Sequence, residues 1–130
     1  MNRQQYENLA THIFQASLEV HRHMGPGLLE SVYEYCLNEE LQLRGIHSER
    51  QVQVPLYYKG KEISKEFRID ILVANEIIVE IKAVDAVLPV HEAQIISYLK
   101  LTDKRLGFLI NFNTPLIKTG FKRFANKYFT

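Results

Sequence analysis

IDILVANEIIVEIKAV, Ile69 to Val84, holds the reading of this chain. Two apolar, β-branched runs flank Ala74-Asn75, and two such runs around a tight turn read as neighbouring antiparallel strands. Each run carries charge where a buried strand should have none: Asp70 in the first, Glu80 and Lys82 in the second. A buried charge is costly unless it is paired, coordinated or neutralised. Side chains alternate along a strand, so Glu80 and Lys82 share one face while Val79, Ile81 and Ala83 take the other. Asp70 shares a face with Arg68 and Leu72, opposite Ile69 and Ile71. With the strands adjacent, Asp70 and Glu80 can converge, although the sequence does not fix the register.

Working outward, Tyr6, Leu9, Ile13, Ala16, Val20 and Met24 recur at helical spacing, which predicts a helix over about Gln4 to His23. Gly25-Pro26-Gly27 stops it. A second helix is predicted from about Leu28 to Arg44, ended by Gly45. "SERQVQVPLYY" then reads as a strand, Lys59-Gly60 as a turn, and "EISKEFRIDILV" as a second strand, so that "IIVEIKAV" is the third of an antiparallel meander. Pro55 predicts an edge position for the first. "LPVHEAQIISYLKLTDK" reads as a helix, with Pro89 and Glu92 suited to its first turn. "RLGFLINF" is a fourth strand, and strand, helix and strand together imply a right-handed crossover with parallel pairing. Pro115 to Thr130 is expected to be a short amphipathic closing segment. The order α-α-β-β-β-α-β defines an α/β mixed sheet flanked by helices.

The chain has 130 residues, 46% of them hydrophobic and 24% charged, with a formal net charge of +1. One soluble domain over 1–130 is expected, and a chain of this length buries roughly two-thirds of its unfolded surface. The charge balance neither announces a nucleic-acid binder nor excludes one with clustered cations. A single cysteine, Cys36, allows no internal disulfide and suits a reducing compartment. No apolar run reaches membrane-span length, and "MNRQQYENLATHIFQ" has no apolar signal core, so the expected location is the cytoplasm, away from membranes.

Two carboxylates and an amine in one place suggest a site for a hard cation, which takes one or two carboxylates, waters and phosphate oxygens. A lysine there can orient a water and stabilise developing negative charge. The triplet Glu80-x-Lys82 alone means little, since acid-x-lysine arises by chance about once in a chain of this composition. The plain alternative is a structural ion pair among Asp70, Glu80, Lys82 and Arg68. His91, Gln94 and Tyr98 lie at i, i+3 and i+7 on one helix face, suited either to contact phosphate or to form a solvated stripe. Glu30 opens the second helix, where a glutamate also simply complements the dipole. His21 and His23 do not share a helix face, which argues against zinc. The tail interleaves Lys118, Lys122, Arg123 and Lys127 with Phe121, Phe124, Tyr128 and Phe129. This is either a phosphate-tracking edge or an amphipathic helix.

Taken together, these motifs resemble a known pattern. Asp70, Glu80 and Lys82 in "IDILVANEIIVEIKA" resemble the D-x(n)-E-x-K signature of the PD-(D/E)XK nuclease superfamily. "AQIISYL" resembles the Q-x-x-x-Y motif of its RecB-like branch, here Gln94 and Tyr98. "GLLESVY", with Gly27, Glu30 and Tyr33, is similar to the signature of the GxxExxY family. The resemblance runs from about residue 5 to 125. It implies a restriction-endonuclease-like αβββαβ core with a mixed four-stranded sheet and an extra N-terminal helix. It implies Mg²⁺ or Mn²⁺ held by Asp70, Glu80 and the Ile81 carbonyl with support from Glu30. Lys82 is then the water-positioning catalytic residue, and Gln94 and Tyr98, with Tyr33 and His91, are the residues expected to face substrate. The implied activity is metal-dependent hydrolysis of DNA, or of RNA. The alternative is a non-catalytic nucleic-acid-binding or protein-interaction module on the same fold. A homodimer would help so small a nuclease span a duplex.

Overall fold

A computed structural model describes residues 1–64 and 67–126. Two helices lead the chain, α1 (Arg3–Met24) and α2 (Glu30–Leu43). The strands β1 (Ser48–Gln53), β2 (Leu56–Tyr58), β3 (Lys61–Ser64), β4 (Arg68–Val73) and β5 (Ile77–Lys82) follow. Then come α3 (Pro89–Thr102), β6 (Leu106–Asn111), α4 (Ile117–Gly120) and β7 (Phe121–Ala125). A five-stranded mixed sheet has the order β1-β4-β5-β6-β7, and β2 and β3 form a separate two-stranded hairpin. Among the described strands only β5 and β6 run parallel, joined by α3.

The turn at Ala74-Asn75 is built as its residues allow. Both adopt positive φ, 52° and 58°, and the Glu76 N–H closes on the Val73 carbonyl at 2.9 Å. Strand β5 is central and buried, as its apolar, β-branched run requires. One face of the sheet packs Ile71, Val73, Val79, Ile81, Phe108 and Ile110 against α1 and α2. The other packs Leu72 and Ile78 against Ile95, Tyr98 and Leu99 of α3. Gly107 permits that close approach: a Cβ there would meet the Ile95 Cδ1 at 3.0 Å.

Three features differ from the sequence expectation. The first two predicted strands are each broken, because Pro55 has no N–H to continue a ladder. Val54 makes the last bond, its N–H donating to the Phe67 carbonyl at 2.7 Å, and the chain then leaves as the β2–β3 hairpin. Strand β1 itself does lie at the sheet edge. The sheet has five strands and not four, because the tail supplies β7, paired antiparallel to β6. Phe121 and Phe124 are three apart, which mimics helical period, yet in a strand it places them on opposite faces. Phe121 joins the α1–α2 core and Phe124 the α3 cluster. The tail is neither the amphipathic helix nor a row of unpaired cations: Lys122 pairs with Glu92 at 2.9 Å, and Arg123 with Glu7. Lys127, Tyr128 and Phe129 lie outside the described residues.

Candidate active site

The site begins where β4 and β5 part. Their ladder pairs Val73 with Ile77, Leu72 with Ile78 and Ile71 with Val79, and stops there. Beyond it Ile71 stays in the α1–α2 core while Ile69 packs with the α3-side cluster, so β4 turns away at Asp70. That opens one edge of β5, whose N–H groups need partners. Carboxylates supply them. The Ile81 N–H donates to Asp70 Oδ2 at 2.8 Å, and the Ala83 N–H donates to Glu30 Oε1 at 3.4 Å. In an extended strand the N–H and C=O of one residue point to the same edge, so the Ile81 carbonyl also faces this fork.

Glu80 lies between these groups and is 4% exposed. The Asp70 carboxylate lies near enough for its charge to act on it. Burial pushes the Glu80 carboxyl well above the ordinary range, the Asp70 charge adds to this, and Lys82 acts in the opposite sense. Among the described residues its Oε1 is buried with no hydrogen-bond partner. A buried acceptor left empty beside a second carboxylate is expensive, and a cation in the fork would satisfy it. The donor chemistry, two carboxylates and a carbonyl, suits a hard divalent ion with remaining positions for water. Among the described residues no three His, Cys, Asp or Glu side chains gather as a metal cluster.

Lys82 points to the α3 side, where it lines a cleft with His91, Gln94 and Tyr98. The Gln94 Nε2 donates to the Tyr98 hydroxyl at 3.3 Å. Burial raises the Tyr98 pKa, with the charges of Glu80 and Asp70 adding to it and the Gln94 hydrogen bond opposing. The His91 Nδ1 accepts from the Leu88 N–H at 3.0 Å, so this imidazole also caps the start of α3.

Tyr33 departs from its expected substrate-facing position. It is fully buried and stacks on Phe112 with ring centroids 4.6 Å apart. Its hydroxyl donates to the Gly25 carbonyl at 2.5 Å and accepts from the Leu28 N–H at 3.1 Å. The spacing G-x-x-E-x-x-Y thus has a mechanical sense. Gly27 takes φ 94°, the Tyr33 hydroxyl closes the α1–α2 turn, and Glu30 is thereby held at the open edge of β5.

Three further residues reach the site. Glu34, one turn after Glu30, is buried and accepts from Arg50 Nε at 3.1 Å and from Gln51 Nε2 at 2.8 Å. Burial raises its pKa, the charge of Asp70 adds to that, and the bonds from Arg50 and Gln51 oppose it. Gln51 adopts φ 55° at the point where β1 skips its pairing with Asp70. The i, i+4 spacing of Glu30 and Glu34 was the available signal in the sequence. Arg50 and Gln51 gave none, because their positions depend on this irregularity.

A mixed sheet flanked by helices, with a helix crossing between its two parallel strands, is a restriction-endonuclease-like fold. The sequence profile of the PD-(D/E)XK nuclease superfamily matches residues 7–124, and the chain belongs to that superfamily. No curated protein and no solved structure matches it. Nucleases of this superfamily generally use divalent metal ions and act on nucleic acid. Among the described residues no helix is long and apolar enough to cross a membrane.

Proposed function

We propose that the protein is a metal-dependent nuclease that hydrolyses phosphodiester bonds of DNA, with RNA the other substrate to be tried. The Gly27-x-x-Glu30-x-x-Tyr33 and Gln94-x-x-x-Tyr98 spacings support membership of the GxxExxY group within the RecB-like branch. The observation that carries the reading is buried Glu80 beside the charge of Asp70, with one Glu80 oxygen left without a hydrogen-bond partner among the described residues. A structural ion pair would leave no such atom.

In this reading Asp70, Glu80 and the Ile81 carbonyl hold Mg²⁺ or Mn²⁺. Such an ion, when bound, neutralises phosphoryl charge and lowers the pKa of a coordinated water. Lys82 orients the attacking water. Its oxygen bonds to phosphorus as the bond from phosphorus to the leaving sugar oxygen breaks; the water's proton passes to solvent, and the leaving oxygen takes one from solvent. The Tyr98 hydroxyl accepts from Gln94 and keeps its own proton to donate to a phosphate oxygen. Glu30 tethers Ala83 and so fixes the backbone that carries Lys82.

The test is incubation of the protein with Mg²⁺ or Mn²⁺ and single- and double-stranded DNA and RNA, beside Asp70→Ala and Lys82→Ala. Cleavage by the wild type, lost in both variants, is the expected result. Cleavage absent throughout, or unchanged in both variants, contradicts it. Salt-dependent binding without turnover would favour the non-catalytic module.

A further inference from the structure

The cleft on the α3 side has a volume of about 630 Å³ and an unusual lining. Phe67, Val90 and Leu101 wall it and stand 40%, 65% and 52% exposed. Lys82 lies among them, and no carboxylate is among the described lining residues. Apolar surface gains from an apolar occupant, and the ammonium gains from an anion. One ligand that satisfies both offers a flat apolar face joined to a phosphate.

A nucleotide has that chemistry, but only when unpaired. In a duplex the base faces are stacked on one another, and proteins meet phosphates, sugars and base edges. An apolar wall beside the reacting lysine is of no use to a paired strand. It suits a base that is free to lie against it. The hairpin carrying Leu56 of this cleft adds Tyr57 and Tyr58, 60% and 63% exposed. Lys59 Nζ stands 5.4 Å from the centre of the Tyr58 ring. Rings interleaved with lysine make a platform for single strands.

The geometry points to a subsite for an unpaired nucleotide, its base against Phe67 and Leu101 and its phosphate at Lys82. The substrate class is then single-stranded polynucleotide: free strands, overhanging ends or unpaired flaps. This rests on the nuclease reading of Asp70, Glu80 and Lys82 given above.

Fluorescence anisotropy with a labelled oligonucleotide in EDTA tests it without turnover. The arms are single-stranded DNA, single-stranded RNA and blunt duplex DNA of the same sequence. Single strands are expected to bind at least about tenfold more tightly than the duplex. Phe67→Ala and Leu101→Glu should each weaken single-strand binding about tenfold while Phe67→Trp retains it. Comparison of the DNA and RNA arms assigns the sugar. Duplex affinity equal to that of single strands overturns the subsite. So does single-strand binding unchanged in both Phe67→Ala and Leu101→Glu, or no binding of any arm. Selective single-strand binding by a protein that cleaves nothing would leave the subsite standing and sink the catalytic reading. Indifferent binding by a protein that cleaves would do the reverse.

Discussion

Two clefts of about 630 Å³ each flank the fork between β4 and β5, and their linings differ in kind. The one toward α2 carries Glu30, Glu34 and Asp70, with Arg50 and Gln51. The one toward α3 carries Lys82 and apolar walls, with no acid among its described residues. Carboxylates gathered at one side attract a cation and repel phosphate, and a lysine among apolar groups does the opposite. Space alone is therefore not what distinguishes the two. In the proposed reading the two clefts divide the task of holding a cation from that of receiving an anionic strand.

The comparison breaks most plainly if Lys82 is dispensable. Lys82→Ala should lower kcat by about 10³-fold, roughly 4 kcal/mol of transition-state stabilisation, in a single-turnover cleavage assay. Unchanged turnover would remove the α3-side cleft from the chemistry. On the acidic side the expected effect is on stability. Arg50→Ala leaves buried Glu34 without its cation and should cost about 2–3 kcal/mol in urea unfolding. Adding Glu34→Gln to that variant removes the uncompensated charge and should recover most of the loss. If the double variant is no better than the single one, the pair is not what holds this cleft.

Smaller effects sharpen the same contrast. Tyr33→Phe leaves the Gly25 carbonyl without its donor and should cost about 1–2 kcal/mol. A thermal melt equal to that of the wild type would show that the turn does not depend on this hydroxyl. The least expected change is a gain: Glu80→Gln should stabilise the metal-free protein by about 1 kcal/mol, since it removes a buried acid from beside Asp70. The sign has a pH signature. Folding raises the Glu80 pKa, so the folded protein keeps this proton after the unfolded chain has lost it. Wild-type stability then falls as pH rises above the ordinary carboxylate range. The advantage of Glu80→Gln should grow over that range and be absent below it.

Much of this was legible in the sequence, for local reasons. The Ala74-Asn75 turn, the alternation in "IIVEIKAV" and the helix between β5 and β6 all follow from nearest-neighbour rules. Those rules made the two strands neighbours and placed Gln94 and Tyr98 on one helix face, while the register that sets Asp70 beside Glu80 was left open. What escaped was set at longer range. Pro55 was legible as an edge signal, but not as the point where two strands divide into four. The fifth strand was hidden because Phe121 and Phe124 satisfy a helical period and a strand buried on both faces alike. Arg50 and Gln51 reach Glu34 through a break in the β1–β4 ladder that no pattern announces. Tyr33 was expected at the site because it shares a motif with Glu30. Its own hydroxyl serves the turn that positions that neighbour.

The central claim is that Asp70 and Glu80 form a divalent-cation centre. Calorimetric titration of the wild type and Asp70→Ala with Mn²⁺ and Mg²⁺ tests it most directly. The account predicts saturable binding to the wild type, with a matching rise in Tm as mass action requires, and neither effect in Asp70→Ala. No binding by the wild type, or binding unchanged in Asp70→Ala, would contradict it.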